Sequence, residues 1–244
     1  MEGSSKPIAL VTGANKGIGF EIARRLAQAG LTVLLGARNA DLGSKAAAKL
    51  QTEDLDVRYI ELDLARPETI QAVAATIGAE FQQLDVLVNN AAIIDAADGP
   101  PSVTDVNAVR RVFETNFFAT LALTQAVLPM LRNSTAGRIV NVSSGLGSIT
   151  LNGDPDWQNP RFKLLGYSAS KAALNMMTVQ LAYELRGTSI KVNAADPGYT
   201  ATDLNGNSGP QTVEEGAAEP VRLALLPSDG PTGGFFDSAG PHPW

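Results

Sequence analysis

The residues best suited to proton transfer are Tyr167 and Lys171, which lie in the segment Tyr-Ser-Ala-Ser-Lys. On a helix, residues four apart share one face, so the phenol and the ammonium would be neighbours. A phenol has a reference pKa of about 10 and is poorly suited to proton transfer near neutral pH. A nearby ammonium favours the phenolate and lowers that pKa. The pair predicts acid–base chemistry; the alternative is an exposed helical pair, because this spacing is common by chance.

Two more polar residues could serve the same chemistry. Ser144 follows the strand-like run Arg138–Val142 and could donate to a substrate carbonyl, which would stabilise negative charge developing on its oxygen. The competing interpretation is a serine that caps a turn. Asn116 lies inside a long helical pattern, where asparagine is disfavoured. It indicates a local kink, a water site or simply polar surface.

A glycine-rich loop, Thr12–Gly19, reads TGANKGIG and leads directly into a helix pattern. Its spacing, G-x-x-x-G-x-G, differs from the general G-x-G-x-x-G dinucleotide fingerprint. Glycines let the backbone approach a pyrophosphate, and a helix N-terminus favours the negative charge. A tight structural turn is the alternative. The place between a first strand and a first helix favours a dinucleotide site.

The charges near this loop favour NADP(H) as the cofactor. NAD sites usually carry an acidic residue at the end of the second strand. Here the run Thr32–Gly36 is followed by Arg38 with no carboxylate, and Lys16 adds a second cation in the glycine loop. Both cations could bind a phosphate on the ribose. The alternative is that both are solvated surface residues.

The elements that would position these residues alternate between short apolar runs and helix patterns. Continuous Val/Ile/Leu runs are typical of parallel strands covered on both faces. The alternation predicts an α/β Rossmann-type fold, with a doubly wound, seven-stranded parallel sheet and helices on both faces, in one domain over residues 1–244. The predicted strands are Ile8–Thr12, Thr32–Gly36, Val57–Leu62, Asp85–Asn89, Arg138–Val142, Lys191–Ala194 and a weaker Gly234–Phe236.

Helices are predicted from Ile18 to before Gly30, from Pro67 past Ile77, and over Val106–Arg132, Tyr167–Arg186 and Val213–Leu226. Two long connections, Gly145–Gly166 with Pro155, Trp157 and Pro160, and Gly198–Gln211, follow strand ends where open α/β sheets bind ligands. We expect them to be substrate loops, with apolar residues on both lining the substrate pocket: Leu146, Leu151, Trp157, Tyr199 and Leu204. Ordinary loop packing is the alternative.

Composition limits the remaining possibilities. Hydrophobic residues at 44% and charged residues at 18% describe an ordinary globular protein. The net charge of −6 argues against nucleic-acid and anionic-membrane partners. The chain has no cysteine, which excludes disulfides and cysteine metal sites and fits a reducing compartment. No secretory signal or transmembrane stretch is recognised, so a cytoplasmic location is expected. The only histidine, His242, is read as part of the C-terminal tail, and no metal site is predicted.

Taken together, the motifs resemble those of the short-chain dehydrogenase/reductase family over Ile8 to about Phe236. Seven features occur in the family's order: the glycine loop, Asp63-Leu64, Asn89-Asn90-Ala91, Asn116, Ser144, the Tyr167/Lys171 pair, and Pro197-Gly198 through Thr202. Within the family, Lys16 and Arg38 are similar to the NADPH-preferring carbonyl reductase branch. The resemblance implies reversible reduction of a ketone or aldehyde to an alcohol, with a small carbonyl or alcohol molecule as the substrate.

The resemblance also implies a role for each matching residue. Tyr167 would be the acid–base, Lys171 would bind the nicotinamide ribose and lower the tyrosine pKa, Ser144 would polarise the carbonyl, and Asn116 would hold a water in a proton relay. The cofactor would contact Gly13, Asn15, Lys16, Gly17, Ile18, Gly19, Arg38, Asp63, Leu64, Asn90, Ala91, Tyr167, Lys171, Pro197, Gly198, Thr200 and Thr202.

One position departs from the family, because Ala92 replaces a glycine that usually follows Asn-Asn-Ala. A positive φ there would cost about 1 kcal/mol or more; a tolerant backbone is the expected explanation. The oligomeric state stays open, since the Ser144–Tyr167 connection is intermediate in length. Two other functions remain as alternatives: reduction of a carrier-bound 3-ketoacyl thioester, and non-catalytic sensing of NADP.

Overall fold

The protein forms one mostly parallel sheet covered by helices on both faces. The computed structural model describes residues 6–157 and 163–244; Pro160 of the first long connection lies outside them. The strands are β1 (Ile8–Thr12), β2 (Thr32–Ala37), β3 (Val57–Glu61), β4 (Val86–Asn89), β5 (Arg138–Val142), β6 (Lys191–Ala195), β7 (Phe235–Asp237) and β8 (Gly240–Pro241). They pair in the order β3-β2-β1-β4-β5-β6-β7-β8.

The predicted fold class is confirmed, and the predicted strand number needs one correction. The strands β1 to β7 are parallel, as expected, but β8 adds an eighth strand that pairs antiparallel with β7. This strand is only two residues long, and Phe236 and Asp237 face Pro241 and Gly240 across the pair. Such a short strand has no periodicity of its own, so the sequence pattern could not predict it.

The helices are α1 (Gly17–Gln28), α2 (Ala40–Gln51), α3 (Pro67–Glu80), α4 (Val106–Phe113), α5 (Thr120–Asn133), α6 (Ile149–Gly153), α7 (Leu165–Glu184) and α8 (Val213–Ala224). The predicted helix Val106–Arg132 is divided, because Glu114–Ala119 forms a π-helical turn between α4 and α5. Helix α2 was not predicted. Short 3₁₀ turns occur at Gly145–Gly147 and Asp203–Asn205, so neither long connection is wholly irregular.

The core has two layers, one on each face of the sheet. Successive strand residues point to opposite faces, so Val11 packs with Ile22 of α1 on one side and Leu10 packs with Ile70 and Leu123 on the other. Burying each such side chain stabilises the fold by about 1.5–3 kcal/mol. Among the described residues, no helix has both the length and the apolar character needed to cross a membrane.

The topology fixes where a ligand can bind. Strand β1 pairs with β2 on one side and with β4 on the other, so the chain changes direction across the sheet at this point. Open α/β sheets bind ligands at the carboxyl ends of the strands, at this kind of switch point. The glycine loop leaves β1 there, and the segments after β4, β5 and β6 begin at the same edge.

Candidate active site

A cleft of about 490 Å³ opens at the carboxyl edge of the sheet, beside the switch point. It gathers most of the residues that the sequence selected for a cofactor. Those that line it are Gly13, Asn15, Lys16, Gly17, Ile18, Gly19, Arg38, Asp63, Leu64, Asn90, Ala91, Tyr167, Lys171, Pro197 and Thr202. Residues separated by up to about 190 positions in the chain therefore meet in one cavity.

The glycine loop has the backbone shape that an anion site needs. Gly13 and Gly17 have φ of 62° and 58°, a region that other residues avoid. A side chain on Gly19 would collide with the Asn90 amide and with the Gly13 carbonyl oxygen. Helix α1 begins at Gly17, and no side chain caps its first N–H groups. Those N–H groups and the helix dipole thus face the cleft and suit a pyrophosphate.

Asn90 holds this loop in place. Its Nδ2 donates to the carbonyl oxygens of Thr12 (2.8 Å) and Gly13 (3.3 Å), while its backbone N–H donates to the Thr12 hydroxyl (3.0 Å). The next N–H, of Ala91, donates to the same hydroxyl. Ala92 is not among the residues with positive φ, so alanine carries no backbone strain there, as expected.

The two cations chosen for a phosphate both line the cleft. Arg38 is exposed directly after β2. Lys16 is also exposed, but its Nζ donates to Asp203 Oδ2 at 2.6 Å. An ion pair between exposed groups contributes little, so a phosphate could take over Lys16 at small cost. Nearby, Asp63 Oδ1 accepts from the N–H of Ala65, which orders the turn after β3.

Tyr167 lies in the first turn of α7 and is 8% exposed. The residue at the N-cap of this helix, Leu164, has no side-chain acceptor. Asp98 replaces it from a distant loop: its carboxylate accepts from the N–H groups of Gly166 (2.9 Å) and Tyr167 (2.8 Å). Sequence reasoning missed Asp98. The only local signal was the apolar residue at the cap position, which says that an acceptor is needed but not where it comes from.

Replacing Asp98 with alanine should therefore both destabilise the protein and impair Tyr167. Losing a helix cap costs about 0.5–2 kcal/mol, and here two N–H groups beside the tyrosine lose their acceptor. Thermal unfolding and kcat would be measured together. Asp105, which caps α4 through the N–H of Asn107, provides the control: Asp105→Ala should lower stability while kcat stays close to the wild-type value. Equal kcat in the two variants would contradict this role of Asp98.

The pKa of Tyr167 is shifted upward, opposite to the lowering that was expected. Burial raises the pKa of Tyr167, the Asp196 carboxylate raises it further, and a hydrogen bond with Ser144 opposes both. The lowering expected from Lys171 is not seen. Lys171 Nζ lies 5.7 Å from the centre of the Tyr167 ring and donates to the carbonyl oxygen of Val142 at 2.7 Å. Burial lowers the pKa of Lys171 to about 8, against the opposing charge of Asp196.

The two serines after β5 have different hydrogen-bond partners. The Ser143 hydroxyl is buried and donates to Asn175 Oδ1 at 2.6 Å, so it anchors the strand end to α7. Ser144 hydrogen-bonds Tyr167 and also accepts from the N–H of Leu146 at 3.2 Å. The two interpretations of Ser144 are therefore both present: it caps the turn at Gly145–Gly147 and it contacts the tyrosine.

Asn116 is buried in the π-helical turn, behind the site. Its Oδ1 accepts from the N–H of Ile93 at 2.8 Å, and its Nδ2 donates to the carbonyl of Ile93 and to the hydroxyl of Ser170. Both polar atoms of the amide thus already have protein partners. The amide therefore joins the segment after β4 to α7. Of the three interpretations of Asn116, the local kink agrees with its place in the π-helical turn.

Of the residues after β6, Pro197 and Thr202 line the cofactor cleft, and two others do not. Thr200 is buried, with its hydroxyl donating to the carbonyl oxygen of Pro197 at 2.9 Å. Gly198 has φ of 70° and lines a second cavity. Thr200 and Gly198 therefore shape the turn.

The second cavity, about 150 Å³, begins at Ser144. Four of the five apolar or aromatic loop residues expected to line a substrate pocket are on its wall, namely Leu146, Leu151, Trp157 and Tyr199, while Leu204 lines the cofactor cleft. His242 also lines this cavity, so the expectation of a mere tail is wrong. Strand β8 turns the chain back, and His242 packs edge-on against Phe235 with 4.8 Å between ring centres.

Comparison with known proteins identifies the family. The family described as short chain dehydrogenase matches residues 7–212. Carbonyl reductase 1 (NADPH) of Mus musculus is 34% identical, over 99% of both chains.

Solved structures support the same family. Salutaridine reductase from Papaver somniferum has a TM-score of 0.82 at 30% identity, covering 96% of this chain and 100% of its own. A short chain dehydrogenase from Shigella flexneri, solved with NADP, has a TM-score of 0.82 at 31% identity, covering 96% and 97% of the two chains. With the cleft, the glycine loop and the Tyr167/Lys171 pair in place, the chain belongs to the short-chain dehydrogenase/reductase family of oxidoreductases and resembles its carbonyl reductase branch.

Proposed function

We propose that the protein is an NADPH-dependent carbonyl reductase that converts a ketone or aldehyde to an alcohol. The observation that carries the proposal is the position of Tyr167 and Ser144 in the walls of the two cavities. Tyr167 lines the large cleft and Ser144 lines the small cavity, so their two hydroxyls lie where a cofactor and a substrate would meet. A carbonyl oxygen placed between them would accept hydrogen bonds from both.

The residues of the cleft fit NADP(H). The uncapped start of α1 and the glycine loop suit the pyrophosphate. Strand β2 ends without a carboxylate, and Arg38 and Lys16 can bind a phosphate on the adenosine ribose. NADP is the cofactor named for the Shigella flexneri structure, and NADPH appears in the name of the mouse relative. When bound, this cofactor supplies a hydride to the carbonyl carbon.

The protein's own side chains would protonate the carbonyl oxygen and stabilise the negative charge that develops on it. As the carbonyl carbon is reduced, the oxygen becomes basic and takes the proton of the Tyr167 phenol. Burial keeps that phenol protonated at neutral pH, which suits the donor role. Ser144 would donate to the same oxygen and stabilise its developing charge. Lys171, held against Val142, would offer its ammonium to the ribose hydroxyls and to the tyrosinate.

A panel of ketones, aldehydes, quinones and steroids, followed by the absorbance of NADPH, tests the assignment. We expect carbonyl-dependent oxidation of NADPH, and reduction of NADP⁺ with the matching alcohol. Activity on carrier-bound 3-ketoacyl thioesters alone would favour the thioester alternative. Tight NADPH binding with no turnover on any carbonyl would favour the sensing protein and refute the enzyme.

The same proposal implies the substrate class, the partners and the location of the protein. The substrate is a small carbonyl compound or alcohol, and no nucleic-acid or membrane partner is needed. A cysteine-free chain fits the reducing cytoplasm, which is the location we propose.

A further inference from the structure

A single imidazole lies between two carboxylates on the substrate side of Ser144. His242 Nδ1 is 2.9 Å from Asp237 Oδ2, and His242 Nε2 is 3.5 Å from Asp196 Oδ2. The imidazole is 15% exposed and the Asp196 side chain 12%. Both line the small cavity beside Ser144. None of these three residues has a role in the chemistry described above.

The hydrogen bonds around the imidazole require an additional proton. A carboxylate can only accept, so the Nδ1–H of His242 must donate to Asp237. A neutral imidazole then presents Nε2 as an acceptor. Nε2 is buried and makes no hydrogen bond with any described residue, although it faces Asp196 Oδ2. Two acceptors that face each other away from water repel, and a proton between them converts the repulsion into a charge-assisted hydrogen bond.

The geometry points to one proton shared between Asp196 and His242, which makes Asp196 a positioning residue that sets the pH range in which Tyr167 acts. This inference rests on the proposed function for its effect on Tyr167, but not for the shared proton itself. The proton resides on Nε2 and is directed at the Asp196 carboxylate, so the pair is neutral as a whole.

The groups that face Asp196 come from four elements. The turn after β6 supplies the N–H of Gly198, which donates to Oδ1 at 2.9 Å. The turn after β5 presents the N–H of Gly145, and the end of the chain presents His242, with Asp237 of β7 behind it. Helix α7 supplies Tyr167 and Lys171, whose proton affinities both respond to Asp196.

Burial supports the sharing of a proton at this site. It raises the pKa of Asp196, while the Gly198 hydrogen bond and the charge of His242 oppose the rise. Gly145 shows how close the packing is: a side chain there would lie 2.9 Å from Asp196 Oδ2 and 3.5 Å from His242 Nε2.

The effect on catalysis follows from charge. When the pH rises and the shared proton is lost, Asp196 remains as an uncompensated carboxylate whose charge acts on the Tyr167 phenol. A negative charge raises the pKa of a phenol, because it disfavours the phenolate. Alcohol oxidation needs the phenolate as a base, so the carboxylate moves the onset of oxidation to higher pH.

The shared proton can be observed directly, since the chain contains only one histidine. In protein made with ¹⁵N-labelled histidine, we expect the Nε2 resonance at neutral pH to be that of a nitrogen sharing a proton. In Asp196→Asn the amide can donate to Nε2, so the resonance should move to the position of an unprotonated nitrogen. An unprotonated Nε2 in the wild-type protein would overturn the inference without any variant.

The kinetic test compares two acid-to-amide changes on the same imidazole. Asp196→Asn should lower the pH of half-maximal kcat/KM for alcohol oxidation by about 1, the order of shift that a neighbouring charge produces. Asp237→Asn, which leaves the Asp196 carboxylate in place, should shift that pH by much less. Unchanged profiles in both, or equal shifts in both, would refute the positioning role.

The experiments distinguish a failure of the carbonyl reductase assignment from a failure of the shared proton. If no carbonyl is reduced but the imidazole signal behaves as expected, the shared proton stands and the carbonyl reductase assignment falls. If carbonyls are reduced and Nε2 carries no proton, the assignment stands and this inference falls. Circular dichroism of each variant shows whether a changed profile belongs to a folded protein.

Discussion

Replacing Tyr167 with phenylalanine is expected to lower kcat for carbonyl reduction by about 10³-fold, within the range that a positioned general acid contributes. The ring keeps its place in the cleft, but no proton is available for the carbonyl oxygen. NADPH binding should change little, because the glycine loop and the cations Lys16 and Arg38 are untouched. Steady-state turnover and the quenching or enhancement of NADPH fluorescence measure the two quantities.

A second tyrosine on α7 serves as the control. Tyr183 is 66% exposed, and its ring packs under the guanidinium of Arg186 instead of facing the cleft. Tyr183→Phe should leave kcat and NADPH binding unchanged. If Tyr167→Phe retained kcat within about threefold, less than even a weak general acid contributes, the proton would have to come from elsewhere and the proposed mechanism would be wrong.

Replacing Arg38 with glutamine should lower the ratio of kcat/KM for NADPH over NADH by about 10- to 100-fold. A charge-assisted hydrogen bond is worth about 1.5–3 kcal/mol, and each 1.4 kcal/mol is about tenfold. Lys16 would retain part of the preference, since its exposed partner Asp203 can be exchanged for a phosphate. The ratio would be measured with one carbonyl substrate and both cofactors.

Arg132 provides the matched control for that change. It is exposed on α5 and pairs with Glu184, away from the cleft, so Arg132→Gln should leave the cofactor ratio unaltered. A wild-type ratio below one would show that the cations at Lys16 and Arg38 do not select the phosphate. The charge argument would then be wrong even if carbonyl reduction is found.

Strands and cofactor residues were predictable because their signals are local. The first six strands are short runs rich in apolar residues, although Arg58 interrupts β3, and the glycine loop adjoins β1 in sequence as in space. Helix α2 escaped prediction because its inner face is built from Ala46, Ala47 and Leu50 with a glycine at position 43. Gly43 reads as a helix breaker, yet the Tyr59 ring lies where its side chain would be. The helix is stabilised by a contact that the sequence does not display.

The unpredicted parts of the site depend on distant partners. Asp98 caps α7 across 69 positions, and His242 reaches the substrate side through β8 and through packing on Phe235. The proton affinity of Tyr167 also depends on such contacts. The Tyr/Lys spacing indicated a lowered pKa for Tyr167, but burial and the Asp196 carboxylate raise that pKa. Spacing reports which groups are neighbours, whereas desolvation is set by the completed fold.

The π-helical turn at Glu114–Ala119 changes the rotation of α5 about its axis relative to α4. Val112 and Leu123 are eleven residues apart, which is about three turns of an α-helix, so an unbroken helix would present both on one side. The wider turn delays the rotation, and α4 packs on α7 while α5 packs on α3. One residue fewer would rotate all of α5 by about 100° and carry its apolar side away from α3. The length of this segment therefore sets which side of α5 faces α3.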